Sequence, residues 1–125
     1  MTEELDIEDI KKAEDYLEGY RINGKLLFSD KYEKEYFTEK KGVEYESIGE
    51  VPLARARMFE IRHFIGSLKN SDEKLFLYYY YIKGRSTEKC AELLGVSRST
   101  AFRLKKRAIR MAAEALFQRQ PYKAD

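Results

Sequence analysis

The stretch Ser86–Lys106, STEKCAELLGVSRSTAFRLKK, limits what this chain can fold into more than any other part of it. Ala91 is small enough to stand where two helices cross at close range, with Cys90 and Leu94 beside it as core residues. Four residues later Gly95 suits a turn, because a residue without Cβ takes positive φ at almost no cost. Val96 follows as the apolar plug of that turn, and Ser97 is placed to cap a second helix by accepting a backbone N–H bond. Ala101, Leu104 and Ala108 then recur at helical spacing on an inward face. This is the arrangement of a helix-turn-helix, in which a short helix packs across the start of a second one that enters the DNA major groove.

The outward face of the second helix carries the chemistry. Arg98, Ser99, Phe102, Arg103 and Lys106 fall opposite the inward aliphatics and are the expected base-facing set. Ser97, Lys105, Arg107 and Arg110 lie at the start, on the sides or further along, where phosphates are nearer, and are the expected phosphate-contacting set. Phe102 has two readings, contact with a thymine methyl or packing against the N-terminal segment or another subunit. The net charge of +2 hides a division: residues 1–50 hold 8 Lys+Arg against 15 Asp+Glu, and residues 51–125 hold 16 against 7. From Ser97 to Arg119 the only acid is Glu114, so the bases there act as one cluster, the electrostatic footprint of a nucleic-acid-binding face.

The rest of the chain reads as helical, so the fold class is all-α, with residues 1–50 an acidic N-terminal helical segment and linker and residues 51–125 the helix-turn-helix domain. Ile7, Ile10, Ala13, Leu17 and Tyr20 recur in steps of three or four, with Asp6 as cap and Asn23-Gly24 as stop, and predict a helix over residues 6–22. Phe28, Tyr32 and Tyr36 predict a second helix between Lys25 and Phe37. Gly42, Gly49 and Pro52 punctuate a polar linker over residues 38–52, within which Val43-Glu44-Tyr45 suits a short extended piece. After Pro52, Ala54, Met58, Ile61, Ile65 and Leu68 predict an amphipathic helix to about Lys69, flanked by Phe59 and Phe64. Asn70-Ser71-Asp72-Glu73 offers capping side chains for another, running through Leu75, Tyr79 and Ile82 to Gly84. In the run Tyr78-Tyr79-Tyr80-Tyr81 some rings must be core and others exposed. The last helix should continue from Arg98 to about Phe117.

Several function classes are disfavoured by what the chain lacks. Its longest apolar run, Leu75–Ile82, is eight residues, against the roughly 20 of a membrane helix. The acidic start Met1-Thr2-Glu3-Glu4 is unlike a secretory signal, which makes the expected location cytoplasmic, without membrane partners. One cysteine, Cys90, and one histidine, His63, leave little for a metal site or a catalytic triad. No Gly-rich phosphate loop or hydrolase signature is present, so no catalytic residues, metal or cofactor are expected.

Residues 53–115 resemble region four of bacterial sigma factors, including the shorter sigma-like regulators of phages of Gram-positive bacteria. The likeness rests on Tyr81-Ile82-Lys83-Gly84, on Ser86-Thr87-Glu88 opening a helix, on Ala91-Glu92-Leu93-Leu94-Gly95-Val96-Ser97-Arg98-Ser99-Thr100, and on the basic tail. It implies a four-helix helix-turn-helix unit whose last helix reads promoter DNA, with an adjoining surface that can touch RNA polymerase. Ala101 departs from the branched aliphatic usual at its position. Phage late-gene activators of the ArpU type are similar in joining such a domain to a variable N-terminal helical segment, and 125 residues leave no room for the upstream sigma regions. The expected function is therefore a sequence-specific transcriptional regulator of the phage or prophage late-gene type. Its expected partners are double-stranded DNA, RNA polymerase and, through the N-terminal helix with its stripe of Ile7, Ile10, Leu17 and Tyr20, either a second copy of the chain or the chain's own basic domain. The alternative is a phage DNA-packaging component, resembling a small terminase subunit, or an assembly component, using the same motif.

Overall fold

The computed structural model describes residues 7–42, 44 and 50–117. The described residues form five helices and no strand: α1 (Ile7–Glu35), α2 (Glu50–Gly66), α3 (Ser71–Leu77), α4 (Thr87–Leu94) and α5 (Arg98–Phe117). Two of them widen into a π-helical turn at the C-terminal end, α1 over Tyr36–Lys40 and α3 over Tyr78–Ile82.

One apolar cluster draws on every helix. It joins Leu17 of α1, Ile61 and Ile65 of α2 with Leu68 just after it, Phe76, Leu77 and Tyr81 of α3 with its π turn, Cys90 of α4, and Leu104, Ala108, Ile109 and Ala112 of α5. α1 lies along α2 and also touches α5 and the π turn of α3, while α5 packs against α3 and α4. The acidic helix is thereby built into the core of the basic half. Tyr16 of α1 stacks edge-on against Phe64 with centroids 5.5 Å apart and donates a long bond of 3.4 Å from its hydroxyl to Glu60 Oε2. Partial burial and the Glu60 carboxylate together push the Tyr16 phenol up to about 12.

The first half of the chain corrects four sequence expectations. Asn23-Gly24 does not stop a helix, and Lys25 does not begin a second; α1 runs unbroken through both. The Asn23 amide donates to the Gly19 carbonyl one turn back at 2.7 Å, so it is satisfied inside the helix. Gly24 turns its bare Cα toward the Met58 methyl of α2. A glycine costs a helix about 1 kcal/mol, which packing on both sides of the break readily offsets. Of the predicted stripe, Ala13 and Leu17 are fully buried and Ile10 and Tyr20 half-buried, but Ile7, at the first residue of the helix, is exposed. Thr38–Lys40, assigned to the linker, close the helix with the Lys41 N–H donating to the Tyr36 carbonyl. Asp6, Val43 and Tyr45 lie outside the described residues, so the predicted cap and the short extended piece do too.

In α2 Ala54, Ile61 and Ile65 are buried, with Leu68 just beyond, as the spacing predicts, but Met58 is only half-buried. The helix starts at Glu50, before Pro52, so that Val51, expected in the linker, is buried too, and it ends at Gly66, three residues before Lys69. α3 differs more. Asn70 makes no side-chain cap, and its backbone carbonyl instead accepts from Lys74 N–H at 2.9 Å. Its core residues are Phe76, Leu77 and Tyr81, whereas Leu75 is exposed and Tyr79 and Ile82 are only half-buried. Leu75, Phe76 and Leu77 precede the π turn, so it is the placement of Tyr79, Tyr81 and Ile82 that the π turn explains. Its Lys83 N–H reaches back to the Tyr78 carbonyl, and the wider turn moves the tyrosine run off the 3.6-residue period that the prediction assumed.

Candidate nucleic-acid interface

The α4–turn–α5 hairpin is set by local bonds. Ser86 Oγ caps α4 by accepting from Lys89 N–H at 3.1 Å, and Ser97 Oγ caps α5 by accepting from Thr100 N–H at the same distance. Between them Gly95 has φ +72°, the left-handed conformation that ends α4, and Val96 N–H donates to the Ala91 carbonyl at 3.0 Å. That bond spans the last turn, as in a Schellman closure. Cys90, Ala91, Ala101 and Leu104 are buried where the two helices meet, and Val96 is half-buried in the turn. Burial pushes the Cys90 thiol up, against the weaker pull of Arg85 and Lys105, so it behaves as a small core residue.

Burial of Ala101, Leu104, Ala108, Ala112 and Ala113 on one side of α5 leaves Arg98, Ser99, Phe102, Arg103 and Lys106 exposed on the other. All five residues of the expected base-facing set therefore share an accessible face. Arg98 stacks its guanidinium over the Phe102 ring, 5.4 Å from the centroid, and pairs with Glu88 of α4 at 3.1 Å. Both members of that pair are more than half exposed, which limits it to about 1 kcal/mol at most. Arg103 donates to Thr100 Oγ1 at 3.2 Å within its own helix.

The expected phosphate set is scattered. Ser97 is an exposed residue whose hydroxyl is committed to the cap, accepting from Thr100 N–H and donating to Thr100 Oγ1 at 2.9 Å. Lys105 is half-buried, with Nζ donating to Tyr80 Oη at 3.1 Å and lying 4.5 Å from that ring's centroid. Arg107 reaches across to Glu73 of α3 at 3.2 Å, where the Glu73 side chain is only 13% exposed. Arg110 is exposed and, with Lys106 and Phe102, edges a shallow groove whose other wall is Ile10 and Glu14 of α1. The sequence reading counted Glu114 as the sole acid near these bases. Glu88, Glu73 and Glu14, from three other helices, also face them.

Tyr80 and Glu73 are the residues that sequence reasoning missed. Tyr80 sits in the conspicuous tyrosine run, but nothing in spacing says that one ring will hold Lys105, 25 positions away. Glu73 looked like a first-turn acid for the α3 dipole, and its pairing with Arg107 spans 34 positions. Both contacts exist only because α3 packs on α5.

The described residues thus define an all-helical protein that presents a capped helical hairpin with a basic outer face, and none of their helices is long and apolar enough to cross a membrane. The chain belongs to the DUF1492 family, described as a protein of unknown function, whose model matches residues 30–113, from the last turns of α1 through most of α5. Comparison with curated proteins found no match, and neither did comparison with solved structures.

Proposed function

We propose that this protein is a sequence-selective DNA-binding transcriptional regulator that reads duplex DNA with the first turns of α5, as a helix-turn-helix unit resembling sigma region four. The observation that carries this reading is the division of α5 into a fully packed face and an opposite face on which Arg98, Ser99, Phe102, Arg103 and Lys106 are all exposed. An α-helix enters the major groove only with such a free edge, and arginine can bond guanine O6 and N7 together. Arg98 is available for this in spite of Glu88: the exposed pair is worth about 1 kcal/mol at most, and a bidentate guanine contact contributes about 1–3 kcal/mol of discrimination. Arg110, exposed further along α5, is the best placed of the expected phosphate ligands. Lys105 and Arg107 are already tied to Tyr80 and Glu73 and serve the packing of α5 on α3 as well.

Titrating the full chain against labelled duplexes tests the reading. About five phosphate contacts give a log-log salt slope near −4.5. Arg98→Ala or Arg103→Ala should remove preference for the cognate duplex over a scrambled one, while Arg110→Ala should weaken both equally and flatten the slope by about one unit. No binding at low salt overturns the proposal. A ring-sized oligomer that binds DNA without preference points instead to a phage packaging role, and footprints placed at promoters support regulation of the late-gene-activator kind, with RNA polymerase as the next partner to test.

A further inference from the structure

Arg98 is held differently from the other arginines of the exposed α5 face. It opens α5, and its Nε donates to Glu88 Oε2 at 3.1 Å, reaching over the turn to the start of α4. Its guanidinium carbon lies over the Phe102 ring, 5.4 Å from the centroid. The head is thus tied through Nε and backed on one face. Its Nη1 and Nη2 make no hydrogen bond among the described residues. Arg103 is tied the other way, with Nη2 donating to Thr100 Oγ1 at 3.2 Å, so part of its fork is already engaged. The Arg98 side chain is 71% exposed and that of Glu88 51%, which keeps the tied head at the surface.

Guanine is recognised by two bonds from one guanidinium to O6 and N7. The five N–H groups of that planar head form a fixed fork, so Nη1 and Nη2 can supply both bonds while Nε keeps a third. A long side chain loses rotamer freedom on making such a pair, and it loses less when the protein has already set the head. The acid that sets it acts in the opposite sense on affinity. A carboxylate at the edge of a basic face opposes the attraction of that face to phosphates, whatever the base sequence. Glu88 therefore weakens binding to every duplex and steadies the fork for one base, the two ingredients of specificity.

We propose that Glu88 is a positioning residue for sequence readout: with Phe102 on the other side, it presets Arg98 so that Nη1 and Nη2 address a single guanine. Glu88 acts through Arg98 and touches no base. This role rests on the DNA-reading function proposed for α5.

Two variants separate positioning from charge. Glu88→Ala and Glu88→Gln remove the same negative charge, but only the glutamine keeps an oxygen that accepts from Arg98 Nε. The probe is a duplex enriched from a random-sequence pool by the wild-type chain, with single-base substitutions along it and a scrambled duplex beside it. The guanine that Arg98 reads is the position at which Arg98→Ala no longer discriminates. Both Glu88 variants should bind the scrambled duplex more tightly than wild type, by a similar factor. At the Arg98 position Glu88→Ala should lower discrimination about fivefold, the upper worth of an exposed ion pair, whereas Glu88→Gln should stay within about twofold of wild type. Positions that depend on Arg103 should not change. In the DNA-free chain the Nε–H resonance of Arg98 should move in Glu88→Ala, with helical circular dichroism unaltered. Intact discrimination at the Arg98 position in Glu88→Ala, an equal loss at every position, or an unmoved Arg98 resonance would each overturn the positioning role and leave DNA reading by α5 standing. If the wild-type chain enriches no duplex, or no position depends on Arg98, the role falls together with that reading.

Discussion

In the α4–α5 hairpin the polar groups at the helix ends are answered by residues a few positions away, whereas α1 takes its order from helices distant along the chain. Ser86 and Ser97 cap their own helices, and Gly95 turns the chain with the Val96 and Ala91 backbones closing behind it. α1 has a glycine too, and a polar residue before it, but Leu17, Gly19 and Gly24 lie against α2 and the helix runs on. The difference teaches when a local stop is obeyed. At Gly95 the backbone leaves helical φ and neighbouring groups satisfy it, so local and tertiary preferences agree; at Gly24 a cost of about 1 kcal/mol meets burial of several side chains, each worth about 1.5–3 kcal/mol, and burial wins.

The largest test of this contrast is Leu17→Ala. Leu17 is fully buried among residues of all the other helices, so truncating it should lower the unfolding free energy of the whole molecule by about 3 kcal/mol. Chemical denaturation should still show one transition. A second transition, or no loss, would mean that α1 is held independently of the rest. Next come the two glycines, whose replacement should have opposite signs. Gly95→Ala forces a Cβ into the left-handed region and should cost about 1–2 kcal/mol. Gly24→Ala keeps helical φ and places its new carbon at ordinary contact, 3.5 Å from the Met58 methyl, so it should stabilise by up to about 1 kcal/mol. Equal signs would break the comparison.

A smaller difference separates the two polar residues. Ser97→Ala removes the α5 cap and should cost about 1 kcal/mol; Asn23→Ala loses a bond to a carbonyl that stays helical and should change stability little. Thermal melts of both variants side by side check this. The smallest effect concerns pH. The Tyr16 phenol is raised from its usual 10.0 to about 12, chiefly by burial and then by Glu60. A group whose folded pKa is raised favours the folded state fully below the unfolded value and loses that contribution as pH climbs through the folded one. Stability should therefore fall between pH 10 and about 12, and Tyr16→Phe should soften that fall without abolishing it, because burial raises Tyr81 in the same direction.

Much of the hairpin was legible because its determinants are short-range. The Ser97 cap, the turn glycine, the inward Ala101, Leu104 and Ala108, the exposure of Arg98, Ser99, Phe102, Arg103 and Lys106, and the extent of α5 to Phe117 all follow from spacing and capping chemistry, while the start of α4 at Ser86 came with the family resemblance. The helical stripe of α2 was legible for the same reason. The face of the tyrosine run after α3 was not, since a π turn shifts the periodicity there and nothing in a run of four tyrosines announces one. The fate of individual cations was equally hidden. Lys105 and Arg107 read as free bases beside Lys106 and Arg110, and became a ring contact and a cross-helix ion pair only when α3 came to rest on α5.

By itself, then, the amino-acid order determined that this protein is helical, where its last two helices begin and turn, and which residues of α5 point outward. Those outcomes depend on hydrogen bonds and apolar periods closed within a few residues, and no distant part of the chain needs to agree. Tertiary structure alone decided that α1 passes through Asn23-Gly24, that Leu17 shares a core with α5, which acids oppose the basic face, and that Phe28, Tyr32 and Tyr36 are left uncovered. Each of these turns on which surfaces meet, and at helix interiors the free energy of burying such surfaces exceeds the preferences of single residues.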